Sequence, residues 1–303
     1  MADLYYSAGG SYRAVARQLG IRANTAFKIT DQLGANCKSF LQVARELRPQ
    51  WSGFLLVDGK AISIGKRKYA LLLTADAQTQ DIPCAQLCES ENLENYFSLL
   101  ETVRDALSYP MKGITVDGGS GLVSAARAVF PGTPLQLCVR HLDEFHGYYF
   151  HYRYKGSVKA VARFLELTHR LLYARSLGHL KHLIQEYLVC RDDFIEAGLD
   201  QEIKNFERKF NYLWTHLEHP GMPRTTNIIE SIIRQLSRKI DRIDGFHSAE
   251  TAWNSLKLLI MKYRFHTFTC SRIKGHNGHS PLSLAKAKTS STDWIAFSQK
   301  QHH

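Results

Sequence analysis

No stretch of the chain approaches the roughly 18 uninterrupted apolar residues that a membrane span needs. The N-terminus, Met1-Ala2-Asp3-Leu4-Tyr5-Tyr6, has no basic region followed by an apolar core, so no signal peptide is expected. Cysteine is sparse: the six thiols at 37, 84, 88, 138, 190 and 270 lack disulfide-framework spacing, which suits a reducing compartment. Cys84 and Cys88 invite a zinc reading, but the alternation Ile82, Cys84, Gln86, Cys88 after Pro83 is that of an extended segment. On a strand those two thiols would share a face about 13 Å apart, which favours half-buried thiols. Repeats and low-complexity tracts are absent as well. Acid is the scarcer charge: Asp plus Glu number 28 against 39 Lys plus Arg, an excess of 11 positive charges that favours a polyanionic partner. With 44% apolar residues, the 303-residue chain can bury a large core as two domains or as one with an insertion.

Against this basic background three acids stand out by position. Asp58 closes the apolar strand Gly53-Phe54-Leu55-Leu56-Val57, and Asp117 closes Gly113-Ile114-Thr115-Val116; glycine follows each. Glu230 lies in Thr225-Thr226-Asn227-Ile228-Ile229-Glu230 at the head of a helical pattern. Any one of them alone reads equally well as a turn or helix-end acid. Together they form the oxygen donor set that a hard cation such as Mg²⁺ takes, with water and phosphate completing its shell, and so point to phosphoryl transfer.

The order of elements frames these acids. Residues 1–36 read as a self-contained helix-turn-helix, in which one helix ends at Gly20 and a second opens near Asn24, capped by Asn24 or Thr25. Arg13, Arg17, Arg22, Asn24 and Lys28 are its expected DNA contacts; a plain helical hairpin is the alternative. After a connector around 34–50, three meander strands, a helix, a strand, a helix and a strand follow. That is the order of an RNase H-like α/β fold, with a mixed sheet and helices. Residues 51–141 form the first part of this core, 142–222 a mostly helical insertion between the second and third acids, 223–285 the second part, and 286–303 a flexible tail.

The strand Val57-Asp58-Gly59-Lys60, the strand Val116-Asp117-Gly118-Gly119, Cys138-Val139-Arg140-His141, and Thr225-Thr226-Asn227 ahead of Glu230 resemble the motifs of mutator-type DDE transposases of bacterial insertion sequences. The segment Asn277-Gly278-His279-Ser280-Pro281-Leu282 is similar to that group too, and the resemblance spans about residues 10–285. It implies that Asp58, Asp117 and Glu230 are catalytic and hold two Mg²⁺ (or Mn²⁺) ions. It further implies that the substrates are double-stranded DNA, both terminal inverted repeats and target, that the working unit is a homodimer or higher, and that the protein acts in the bacterial cytoplasm on the nucleoid. Many relatives are longer at the N-terminus, so an extra end-binding or dimerisation module is expected to be missing here.

Cys138 and His141 could act as zinc ligands with His146 or His151, but a structural role or a hand on DNA suits His141 better. Asn227 could orient Glu230, touch DNA or cap its helix. The run Tyr148 to Lys155, with Arg153 and Lys155 as its DNA-binding cations, mixes aromatics and bases as single-strand binders do; a packed helix is the alternative. The stripe Val161, Phe164, Leu165, Thr168, Leu171 and Leu172 offers a surface to a partner chain or to its own domain. Trp214 and Trp253 are expected in the core. A catalytically silent DNA-binding regulator and a structure-selective RNase H-like nuclease remain the competing functions.

Overall fold

The computed structural model describes residues 1–7, 10–153, 159–243, 245–289 and 293–300. Helices α1 (Ala2–Ser7), α2 (Tyr12–Leu19), α3 (Ala23–Ala35) and α4 (Phe40–Leu47) precede strands β1 (Phe54–Ile64), β2 (Arg67–Asp76) and β3 (Ala85–Cys88). Then come α5 (Leu93–Glu101), β4 (Gly113–Val116), α6 (Ser120–Val129) and β5 (Leu135–Leu137). The segment after β5 is helical: α7 (Val139–Arg153), α8 (Lys159–Leu172), α9 (Leu177–Glu196), α10 (Asp200–Glu207), α11 (Phe210–Leu213) and α12 (Thr215–Glu218). The chain returns through α13 (Asn227–Ile240), α14 (Ala249–Phe265), α15 (Pro281–Leu284) and α16 (Trp294–Ser298). No helix is long and apolar enough to cross a membrane among the described residues.

The architecture is mixed α/β. Five strands lie in the order β3-β2-β1-β4-β5. The β1–β2 and β2–β3 pairs are antiparallel, while β4 runs parallel to β1 and β5 parallel to β4. Gly65, at φ 57°, makes the left-handed turn between β1 and β2 that a side chain would resist. Successive residues of a strand face opposite sides of the sheet, and here both sides are covered. Leu55, Val57, Ile114 and Val116 join one core with α5, α6 and the insertion helices. Phe54, Leu56, Leu71 and Leu73 join the other, with α1, α13 and α14. Arg264 of α14 is buried and donates from Nε and Nη2 to the buried carboxylate of Asp81, at 2.7 and 2.8 Å, locking α14 against the β2–β3 connection.

Several expectations give way. Asp58 does not close its strand: β1 continues to Ile64, because β2 pairs along its whole length while β4 stops opposite Val57. The first 36 residues are not self-contained. Tyr6 donates to the Ser255 carbonyl at 3.1 Å, Asn254 donates to Asp31 at 3.0 Å, and a Cβ on Gly34 would meet the Asn254 carbonyl oxygen at 2.3 Å. The α2–α3 turn is present, with Gly20 left-handed at φ 66° and its N–H donating to Ala16. The cap of α3 is Arg22, without a side-chain bond, rather than Asn24 or Thr25. The connector after α3 contains α4, capped by Ser39 and Gln42.

The insertion shares the sheet's core rather than standing apart from it: Phe150, Phe164, Tyr187, Phe194, Phe206 and Trp214 belong to the cluster of Leu55 and Val57. The α8 stripe is used up there. Val161, Phe164, Thr168, Leu171 and Leu172 are buried within the chain and Leu165 is half-buried against the same core, so the stripe packs on its own domain. Trp214 is buried and Trp253 half-buried against the second core. In the segment expected as a flexible tail, α16 is packed: Trp294, Ile295 and Phe297 lie against the second core, and Lys38 N–H donates to the Ser298 carbonyl at 2.7 Å.

Candidate active site

The register Val57↔Val116 places Asp58 and Asp117 one residue further along neighbouring parallel strands. Adjacent strands lie about 4.8 Å apart, and both acids follow the parity of Leu56 and Thr115, hence the face covered by α13. Asp58 accepts the Gly59 N–H at 2.8 Å and Asp117 the Gly119 N–H at 3.1 Å. Among the described residues neither carboxylate has an ion-pair partner within 4.0 Å. Burial pushes the Asp58 carboxyl up to about 6; the Gly59 N–H opposes this, the charge of Asp117 adds to it, His141 opposes it and Glu91 adds to it.

Glu230 is held differently. Arg140 donates to Oε2, the Thr226 hydroxyl lies 2.9 Å from Oε1, and His141 Nε2 lies 3.7 Å from the same oxygen. Arg140 also reaches Glu144 at 3.3 Å. Cys138 follows β5, where its N–H donates to the Val116 carbonyl at 2.8 Å, so α7 starts beside the end of β4. The buried Cys138 Sγ accepts the Thr226 N–H at 3.4 Å and lies 3.2 Å from the Thr226 hydroxyl, whose single proton can go to sulfur or to Glu230. Burial raises this thiol, but hydrogen bonds with His141 and Thr226 outweigh it and bring it to about 7. His141 is raised in turn, first by its bond to Cys138 and then, against desolvation, by Cys138, Asp58 and Asp117.

The three sequence-picked acids therefore gather around His141, with Asp58 and Asp117 acting on it electrostatically and Glu230 at its Nε2. Among the described residues, the set of three ligating atoms lying within 4.8 Å of one another is Cys138, His141 and Glu230. The partners weighed for zinc do not join it: His146 is buried between Phe150 and Phe206, and His151 is exposed. Asn227 is the exposed first residue of α13 and does not cap it, since Thr226 occupies the cap position. A cavity of about 360 Å³ opens beside Asp117, Cys138, His141, Phe145 and Lys209.

One acid escaped the sequence. Glu91, in the loop before α5, lies over Gly59, where a Cβ would come within 2.6 Å of its carboxyl, and Tyr96 donates to it at 3.1 Å. The glycine after Asp58 was its only trace, and nothing in its own surroundings marked it. Among the expected DNA contacts, Arg13, Arg17, Arg22, Asn24 and Lys28 are all exposed along α2 and α3. Arg153 is exposed but tied within the insertion, donating to Tyr149 at 2.7 Å and lying 3.7 Å from Glu202. Lys155 lies outside the described residues.

The donor chemistry fits a divalent cation at Asp58 and Asp117. Among the described residues these two adjacent carboxylates have no ion-pair partner within 4.0 Å, only the longer-range charge of His141, and both offer oxygen only. Glu230 offers Oε1 while Arg140 holds Oε2.

No curated protein sequence matches the chain. Among solved structures, the HTLV-2 integrase catalytic core domain, determined in complex with magnesium in a dimeric form, is similar at 13% identity and a TM-score of 0.25, covering 42% of this chain and 91% of its own. The simian T-cell lymphotropic virus intasome, determined with the PP2A regulatory subunit B56 gamma, is similar at 13% identity and a TM-score of 0.24, covering 58% and 69%. Scores this low support no assignment of fold or function. The family model described as Transposase, Mutator family, matches residues 22–267 of the 303, and the chain belongs to that family.

Proposed function

We propose that the protein cleaves the ends of an insertion sequence and transfers the freed 3′-hydroxyl to target DNA, with Asp58, Asp117 and Glu230 as its catalytic carboxylates on an RNase H-like core. The observation that carries this reading is the pair of carboxylates, without ion-pair partners among the described residues, on β1 and just past the end of β4, with Glu230 of α13 at the His141 ring that both acids influence. The strand order, antiparallel through β3-β2-β1 and parallel through β1-β4-β5, supports the core assignment. Two Mg²⁺ or Mn²⁺ ions bound there would activate the attacking oxygen and stabilise the leaving 3′ oxygen.

The chain's own residues supply position and charge. Asp58 and Asp117 present oxygen donors on neighbouring strands. The Thr226 hydroxyl and Arg140 fix the Glu230 carboxylate, and Cys138 anchors Thr226 from below. His141, whose pKa is raised first by its bond to Cys138 and further by the charges of Asp58 and Asp117, faces the same centre and can meet a scissile phosphate when protonated. Arg13, Arg17, Arg22, Asn24 and Lys28 form an exposed face for duplex DNA on α2 and α3, and Tyr148, Tyr152 and Arg153 a second surface on α7. Joining two ends to one target calls for two active sites, hence at least a dimer in the working complex.

Incubation with end-containing DNA and Mg²⁺ tests the reading. Nicking and joined products are expected from the unaltered protein, and neither from Asp58→Asn, which should still bind DNA. Cleavage without joining would identify a nuclease; Mg²⁺-dependent activity retained by Asp58→Asn would refute the site.

A further inference from the structure

Helix α13 carries a second chemical signature besides Glu230. Its outward face bears Arg234 and Arg238, and the turn beyond its C-terminus adds Arg242; all three are exposed. At about 100° per residue, Asn227, Glu230, Arg234 and Arg238 fall within an arc of about 80°. A four-residue step advances about 6 Å along the axis. Among the described residues none of the three guanidinium groups has an ion pair or hydrogen bond, and Glu230, the acid one turn before Arg234, is taken by Arg140. By contrast, Arg163, Arg170 and Arg191 on the insertion all pair with carboxylates. Like charges at i and i+4 oppose helix formation, so the Arg234–Arg238 pair costs the helix stability and, among the described residues, no ion pair offsets it.

The row runs into a cavity of about 730 Å³ lined by α13, α14, α1 and α16. Arg238, Arg242, Lys262 and His266 line it, over a floor that includes Tyr6 and Trp294. The carboxylate on its wall, Asp3, lies 3.6 Å from Lys262. Lys239 is spent inside the protein: its ammonium donates to the Tyr5 and Gly10 carbonyls, which fastens the segment before α2 to the helix that carries Glu230. The N-terminal helices and the acid centre are thus joined through α13, and the surface between them is cationic.

We infer that Arg234, Arg238 and Arg242, with the cavity at their end, form a track for the sugar–phosphate backbone of DNA, leading from the acid centre along α13 towards the N-terminal helices. This rests on the DNA-processing reading and adds the path that the strand takes. Charge is the ground for choosing this occupant: two guanidinium groups in helical register and a third in the turn beyond, without ion-pair partners among the described residues, match a polymer with regularly spaced anions and offer a small neutral ligand nothing.

Fluorescence anisotropy of a labelled duplex of arbitrary sequence, titrated across a salt series in EDTA so that no cleavage occurs, tests the track. In the Arg234→Gln/Arg238→Gln/Arg242→Gln variant, loss of three phosphate contacts should flatten the salt dependence of log K by about 2.7, at about 0.9 per contact, and weaken binding on the order of 10- to 100-fold. The same triple changed to lysine should restore most of the slope. A control that removes equal charge from the insertion, Arg175→Gln/Lys181→Gln/Lys204→Gln, should change the slope far less. Because the arginines are exposed and repel one another, the glutamine triple should melt no lower than the parent. An unchanged slope in a folded triple, or an equal loss in the control, overturns the track while leaving the acid site standing; a parent that binds no duplex at all overturns both.

Discussion

The substitution Asp58→Asn should stabilise the metal-free protein at neutral pH and lose most of that advantage in acid. Asp58 is an acid whose folded pKa is raised from 3.8 to about 6, first by burial. As pH rises through this window the unfolded chain gives up the proton while the folded chain still holds it, so stability falls. The cost is complete above the folded value and absent below the unfolded one. At about 1.36 kcal/mol per pH unit, a carboxyl moved from 3.8 to about 6 carries a cost of at most about 3 kcal/mol at pH 7.5 and about 1 kcal/mol at pH 4.5. The asparagine side chain keeps an oxygen for the Gly59 N–H and removes the charge, so the variant's gain should follow those two values, reduced where solvent reaches the half-buried side chain. Urea unfolding in EDTA at both pH values gives the comparison directly. Added Mg²⁺ should then stabilise the parent and not the variant, because a ligand that binds only the folded state adds RT ln(1 + [L]/Kd). A gain equal at both pH values, or a loss at pH 7.5, would refute the picture of Asp58 as an uncompensated carboxylate.

Arg264→Met should destabilise the protein by about 3–5 kcal/mol in chemical denaturation, because it strands the buried Asp81 carboxylate; adding Asp81→Leu to the same chain should recover part of the loss, and a double variant no better than the single would contradict the pairing argument. Gly34→Ala should cost about 1–3 kcal/mol, since its Cβ would lie 2.3 Å from the Asn254 carbonyl oxygen, and should raise proteolytic cleavage after α3; unchanged protease resistance would mean that α3 docks elsewhere. Arg140→Ala should lower metal-free stability by about 1–2 kcal/mol by leaving Glu230 without its cation, an effect that a thermal melt with and without Glu230→Gln should show to be non-additive.

The sequence by itself determined the parts that depend on local pattern. Apolar runs ending in an acid marked both β1 and β4, because a strand buried on two faces leaves little room for polar residues until its end. The helical spacing of α8, the turn at Gly20 and the helix start before Glu230 were legible for the same reason, and so was family membership, whose short motifs keep their order along the chain. Where β1 ends was not legible: the apolar run breaks at Asp58-Gly59-Lys60, and only pairing with β2 carries the strand on through Ala61, Ile62 and Ser63 to Ile64. The docking of α3 on α14 was hidden because its close approach is at Gly34, and the buried residues of α3, Ala26, Thr30 and Gly34, are small or polar and leave no apolar stripe. The periodicity of α8 announced a buried face without saying what buries it, and the answer, the insertion's own aromatic core, comes from helices as distant as α11. The grip on Glu230 lies furthest from any local signal. Cys138 meets Thr226 across 88 residues of sequence and Arg140 meets Glu230 across 90, at a point set by where β5 ends and where α13 returns to the sheet. Spacing along a chain fixes what one element can offer; which carboxylate is left bare and which is held by a base depends on contacts between elements, and those exist only once the sheet and its two helical layers have closed.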